Sequence, residues 1–168
     1  MRLLVVSDSH GSVRNLREVL WRQESLPVSQ RAEILLHLGD GACDPERVEL
    51  PDGMTLLAVR GNCDGALAAE LPTVRTVSFG GFRILMAHGH TLGVKSGLIS
   101  AVAHAREEGA DLLLFGHTHE PVARTVEAGA LFGDKRLHVF NPGSLAEGSF
   151  GLIELSEKGI LMSHGSLR

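Results

Sequence analysis

Short, wholly apolar runs alternate with amphipathic and polar stretches along the first two thirds of the chain. Residues 3–6, 34–38 and 56–59 are such runs, and each is too short for a helix. Runs that are apolar at successive positions suit strands of a parallel sheet covered on both faces. Residues 13–24 place apolar side chains at helical spacing, with Ser12 at the N-cap position. Gly80-Gly81 separates residues 74–79 from 83–87, which predicts a tight hairpin. Residues 96–108 read as a second helix closed by Gly109 at C′, and residues 112–115 as another buried strand. Residues 122–126, 137–140, 151–155 and 160–164 then predict strands joined by short turns. The pattern describes an α/β chain with a sheet-on-sheet core flanked by helices. With no repeat or linker, one domain is expected over residues 1–168. Strand order is not readable from it.

Polar groups follow these runs in a repeated way. The first leads to Asp8 and His10, the second to Gly39-Asp40, and the third to Gly61-Asn62. Residues 83–87 lead to His88, and residues 112–115 to Gly116-His117-Thr118-His119. Ligands of open α/β sheets gather beyond the carboxyl ends of the strands, so these side chains are expected on one rim. Imidazole mixed with carboxylate suits manganese, iron, zinc, cobalt or nickel better than magnesium or calcium. The set Asp8, His10, Asp40, Asn62, His88, His117 and His119 is too large for one tetrahedral ion. It suits two ions roughly 3.5–4 Å apart that share a carboxylate.

Composition narrows the class. The chain is 43% hydrophobic with a formal charge of −4, which argues for a soluble globular domain and against a nucleic-acid binder built on a basic surface. No apolar run approaches a membrane span or a signal-peptide core, so a cytoplasmic protein without a membrane partner is expected. Cys43 and Cys63 lack Cys-x-x-Cys spacing, which gives no sign of a disulfide framework or zinc knuckle.

Taken in order, Asp8-Ser9-His10, Gly39-Asp40, Gly61-Asn62-Cys63-Asp64, His88-Gly89-His90 and Gly116-His117-Thr118-His119 resemble the calcineurin-like metallophosphoesterase family. Asn141-Pro142-Gly143-Ser144 adds a likeness to its small, uncapped branch of bacterial and archaeal phosphodiesterases. The resemblance implies a four-layer αββα sandwich. It places Asp8, His10 and His119 on one ion, Asn62, His88 and His117 on the other, and Asp40 between them. It also implies hydrolysis of phosphate esters, with diesters favoured, by in-line attack of a hydroxide held by the two ions. Manganese is favoured on the same ground, with Zn2+, Ni2+, Fe2+ and Co2+ as alternatives. Many relatives carry a histidine where Cys63 stands, and that histidine protonates the leaving group. His90 and Cys63 are therefore the further catalytic candidates, and the identity of the general acid is open.

The expected partner is a small phosphate-ester substrate. A nuclease stays open within the same chemistry but is disfavoured by the acidic balance, and a homo-oligomer is also left open. The rival reading is a non-catalytic scaffold similar to the small subunit of retromer, which shares the fold but has lost key ligands. All seven positions are filled here, which favours catalysis. His37, inside a strand, reads as a core histidine; His104, His138 and His164 read as structural or surface residues. Cys43 reads as a spacer, and Asp44 and Asp64 as solvated loop carboxylates, with acceptors that support the ligands as the alternative. The stretch from Gly39 to Asp44 mimics a dinucleotide fingerprint but lacks its third glycine, and Val94 precedes Lys95 where a P-loop needs glycine. No Gly-x-Ser-x-Gly elbow is present.

Overall fold

A computed structural model describes residues 1–129 and 135–168. Its strands are β1 (Arg2–Val6), β2 (Ile34–His37), β3 (Thr55–Ala58), β4 (Val74–Phe79), β5 (Phe82–Ala87), β6 (Leu112–Leu114), β7 (Val122–Val126), β8 (Leu137–Asn141), β9 (Ser149–Ser156) and β10 (Gly159–Ser166). Two α-helices, α1 (Val13–Glu24) and α2 (Ile99–Glu107), accompany them. One sheet runs in the order β10-β9-β1-β2-β3 and the other β4-β5-β6-β8-β7. Strands β1, β2 and β3 are mutually parallel, as are β5, β6 and β8; antiparallel strands flank the second sheet on both sides and the first beside β1, while parallel β3 forms its other edge.

The two-residue period of a strand explains the layering. Leu3 and Val5 of β1 and Leu36 of β2 face Ile84, Met86, Leu112 and Leu114 in a core between the sheets. The alternate residues Leu4, Val6 and Leu35 pack outward on Leu16, Val19 and Leu20 of α1. Leu85, Ala87 and Leu113 do the same against Ala101, Val102 and Ala105 of α2. A run apolar on both faces is thus divided between two cores. The result is the four-layer αββα sandwich.

Helix α1 has the expected bounds, but the Ser12 side chain makes no capping bond. The β4–β5 turn carries positive φ at both Gly80 (55°) and Gly81 (83°), as a tight primed hairpin requires. Helix α2 starts later than its pattern suggests. Val94–Ser96 winds as a 3-10 turn and Gly97, at φ 129°, breaks the path before Ile99. Gly109 closes it at φ 65°. Among the described residues, no helix is long and apolar enough to cross a membrane.

Candidate metal centre

The carboxyl ends of the parallel strands in both sheets open onto one rim. Asp8 and His10 follow β1, Asp40 follows β2, Asn62 follows β3, His88 follows β5, and His117 and His119 follow β6. The structure brings all seven together. His119 Nε2 lies 3.2 Å from Asp8 Oδ1 and 3.4 Å from His10 Nε2. His88 Nε2 lies 3.1 Å from His117 Nδ1, 3.2 Å from Asn62 Oδ1 and 3.4 Å from Asp40 Oδ2. The ligand atoms of Asp8, His10 and His119 fall within 4.8 Å of one another, as do those of Asp40, His88 and His117. His10, Asp40 and Cys63 form a third such group that bridges the two.

Backbone strain is concentrated here. Among the described residues, the non-glycine residues with positive φ are Asp8 (53°), His10 (45°), Asp40 (52°), His117 (69°) and His119 (61°). Each belongs to the cluster. Such conformations cost of order 1–3 kcal/mol apiece and persist only where the surroundings enforce them. Cross-loop bonds do so: Asp8 N–H donates to Gly39 O at 3.0 Å, and His10 N–H to Asp40 O at 3.0 Å. Across the two sheets, His117 N–H donates to Asp8 Oδ2 at 3.0 Å. Close approach also needs glycine. A Cβ on Gly61 would meet Asp40 Oδ1 at 2.1 Å and Asp40 N at 2.4 Å.

The donor chemistry fits cations. The Nδ1 of His88 lies 2.8 Å from Leu38 O, which can only accept, so Nδ1 carries the proton in the neutral ring. Its Nε2 then turns a lone pair toward the carboxylate of Asp40, an arrangement that a cation between them stabilises. Asp8 Oδ1 is buried without a hydrogen-bond partner among the described residues. Burial, reinforced by the His88 ring, holds His90 and His117 below the ordinary imidazole value. Both rings are therefore neutral at neutral pH.

Of the other catalytic candidates, His90 stands beside the cluster with its ring centroid 5.3 Å from that of His88 and 6.2 Å from that of His117. Cys63 is exposed at the rim. Its bond to Asp40, and then burial of the sulfur, push the thiol above its ordinary value, so it remains protonated at neutral pH.

Asp64 and Asp44 are not solvated loop carboxylates. Asp64 accepts the backbone N–H groups of Asp40 (3.0 Å), Gly41 (2.7 Å), Ala42 (3.0 Å) and Gly61 (2.8 Å). Burial alone would raise its pKa, but these donors outweigh it and hold the carboxyl below the usual range. Asp44, buried, accepts Ser9 Oγ–H at 2.6 Å and Gly11 N–H at 2.8 Å. His37 is the expected core histidine. Its Nδ1 accepts Gly39 N–H at 3.2 Å, which leaves Nε2 to donate to Ser9 Oγ at 3.0 Å. Sequence reasoning also missed Glu147, whose Oε1 lies 3.6 Å from His119 Nδ1, a charge beside that ring rather than a hydrogen bond to it. Asn141 links the Gly143 N–H (2.8 Å) to Gly116 O (3.1 Å) and Thr118 Oγ (3.1 Å), and Ser144 Oγ–H donates to Asp8 O at 3.1 Å. That is what the Asn141–Ser144 motif does: it ties the β8 end to the two ligand loops.

Residues 1–165 match the calcineurin-like phosphoesterase superfamily domain. The chain is 31% identical over 166 residues to the phosphodiesterase YfcE of Escherichia coli (strain K12), covering 87% of this chain and 80% of that protein. It is 32% identical over 119 residues to the probable metallophosphoesterase YsnB of Bacillus subtilis (strain 168), covering 71% of this chain and 64% of that protein. The second match thus spans less than two thirds of YsnB. The crystal structure of a predicted phosphoesterase from Streptococcus pneumoniae TIGR4 shares the fold at a TM-score of 0.73 and 24% identity, covering 98% of this chain and 88% of that one.

Proposed function

Because the chain belongs to the calcineurin-like phosphoesterase superfamily, we propose that it hydrolyses phosphate esters, diesters in particular, at a centre of two divalent metal ions. The observation that carries this reading is the confinement, among the described residues, of strained non-glycine backbone to the cluster Asp8, His10, Asp40, His117 and His119. Nothing in folding alone calls for five left-handed residues at the rim of one pair of sheets.

In this reading Asp8, His10 and His119 would hold one ion and Asn62, His88 and His117 the other, with Asp40 available to both. When bound, the ions supply Lewis acidity toward the phosphoryl oxygens and acidify a water for in-line attack on phosphorus. The chain's own part is orientation. Leu38 O fixes the His88 tautomer, and Asp64 holds the loop that aims Asp40. Asn62 adds a neutral donor, so the loaded site keeps the positive excess that attracts a phosphate. His90 is assigned a contact to substrate beside His88 and His117. Cys63, protonated and at the rim, is assigned a place beside the site with a modest effect on turnover. The filling of all seven ligand positions supports catalysis over a scaffold of the same fold. Manganese is the proposed native ion, and the cytoplasm the proposed location.

The test is removal and return of metal. Chelation is expected to abolish hydrolysis of bis-p-nitrophenyl phosphate, and manganese to restore it. Undiminished turnover by a sample shown to be metal-free by elemental analysis would refute the reading.

A further inference from the structure

A cleft of about 530 Å³ opens directly beside the cluster and shares His10 and Asp40 with it. Its far wall is the 3-10 turn Ala66–Ala68, and Cys43 and Cys63 form part of the near one. Leu67, at the crest of that turn, is 92% exposed, so its apolar surface is available to a ligand lying in the cleft. The carboxylates of Asp44 and Asp64 also reach the lining, but their oxygens are already engaged. Asp64 takes four backbone N–H groups, and Asp44 takes Ser9, Gly11 and Arg47. Among the described residues, no lysine or arginine lines the cleft.

Resting on the proposed phosphoesterase reading, we infer that this cleft is the subsite for the ester group of the substrate, that it takes a neutral, apolar aryl or branched-alkyl group, and that Leu67 determines that preference. The charge pattern decides the class. Away from the proposed ions, a second phosphate in the cleft would find no cationic side chain and would lie against Asp44 and Asp64. An apolar group instead covers Leu67, Ala66 and the cysteine side chains, removing apolar surface from water on both partners. The favoured substrates are therefore esters with a single phosphate and an apolar ester group.

Two measurements on manganese-loaded protein test this. Calorimetry compares phenyl phosphate with methyl phosphate, which share a headgroup and differ only in what enters the cleft. Phenyl phosphate is expected to bind about tenfold tighter, the scale of a modest apolar contact, and Leu67→Ala to erase most of that difference. Leu67 is too exposed for the substitution to disturb folding. Equal affinities in the native protein, or a preference unchanged in Leu67→Ala, would overturn the inference. The second measurement compares phenyl p-nitrophenyl phosphate with methyl p-nitrophenyl phosphate, whose leaving group is the same. Their ratio of kcat/KM should fall about tenfold in Leu67→Ala. If neither diester turns over while the binding preference is present and lost in Leu67→Ala, the catalytic reading fails and the subsite stands.

Discussion

Asp64 holds Asp40 in place through the backbone rather than through its side chain. Its Oδ2 accepts the Asp40 N–H at 3.0 Å and the Gly61 N–H at 2.8 Å, while Oδ1 accepts the next two amides of the Asp40 loop. Asp40 Oδ1 returns the contact by accepting Cys63 N–H at 2.7 Å. The loops after β2 and β3 are thereby locked to each other at the centre of the cluster.

Asp64→Ala should leave four amides without their acceptor. A loss of about 2–4 kcal/mol is expected, because unmade bonds to a charged group cost more than neutral ones. Metal affinity should fall roughly 10–100-fold, the usual effect of removing an outer support. Denaturant unfolding and metal titration read the two separately, and native metal affinity in the variant would show that Asp64 serves folding alone.

Asp40→Ala should cost more metal than His10→Ala, since Asp40 is proposed to touch both ions and His10 one. Elemental analysis after dialysis gives the counts. One ion fully retained in Asp40→Ala, with both lost in His10→Ala, would reverse the assignment.

The Cys63 thiol, held protonated by Asp40, is a weak acid for a leaving alkoxide. Rates should therefore fall steeply as the leaving group's pKa rises, and Cys63→Ser should change turnover little for an aryl diester. Cys63→His should recover part of the rate for poor leaving groups, within the roughly 10²–10⁴-fold range of general acids. A flat dependence in the native enzyme that turns steep in Cys63→Ser would identify the thiol as the acid.

His37 gives a pH signature. Burial lowers its pKa from 6.5 to about 4, against the opposing pull of Asp64, Asp44 and Asp8. Below 6.5 the unfolded chain takes up a proton that the folded chain refuses, so stability falls as pH drops from 6.5 to about 4 and then levels off. The contribution totals about 3 kcal/mol. Unfolding measured across that range in excess chelator should slope less for His37→Asn than for the native chain; parallel slopes would count against it.

Much of this was legible because each signal was local. Residues of β1, β2 and β6 are apolar on both faces, and α1 is amphipathic with a period that leaves no other reading. The cluster followed from polar groups placed just beyond strand ends. Asp64 was misread because its partners are mostly 22–24 residues away, so its sequence neighbourhood shows only a carboxylate in a loop. Glu147 was invisible for the same reason. The start of α2 was misplaced because residues 94–96 turn helically but with the tighter 3-10 winding, and composition does not separate the two. Strand order rests on β1 pairing with β9, a contact between the chain's two ends.

The cluster draws Asp8, His10, Asp40 and Asn62 from one sheet and His88, His117 and His119 from the other. An ion held by Asp40 and His88 would therefore be a further fastener between layers that meet through apolar side chains and a few rim hydrogen bonds such as His117 N–H to Asp8 Oδ2. Occupancy and thermal resistance become one quantity, because the unfolded chain scatters these ligands and cannot offer the same cage. By mass action, the melting midpoint would climb with the logarithm of free metal once the dissociation constant is passed, adding about 2.7 kcal/mol at a hundredfold excess. The chain's heat tolerance would then report the metal supply around it, whether or not any phosphate ester is present.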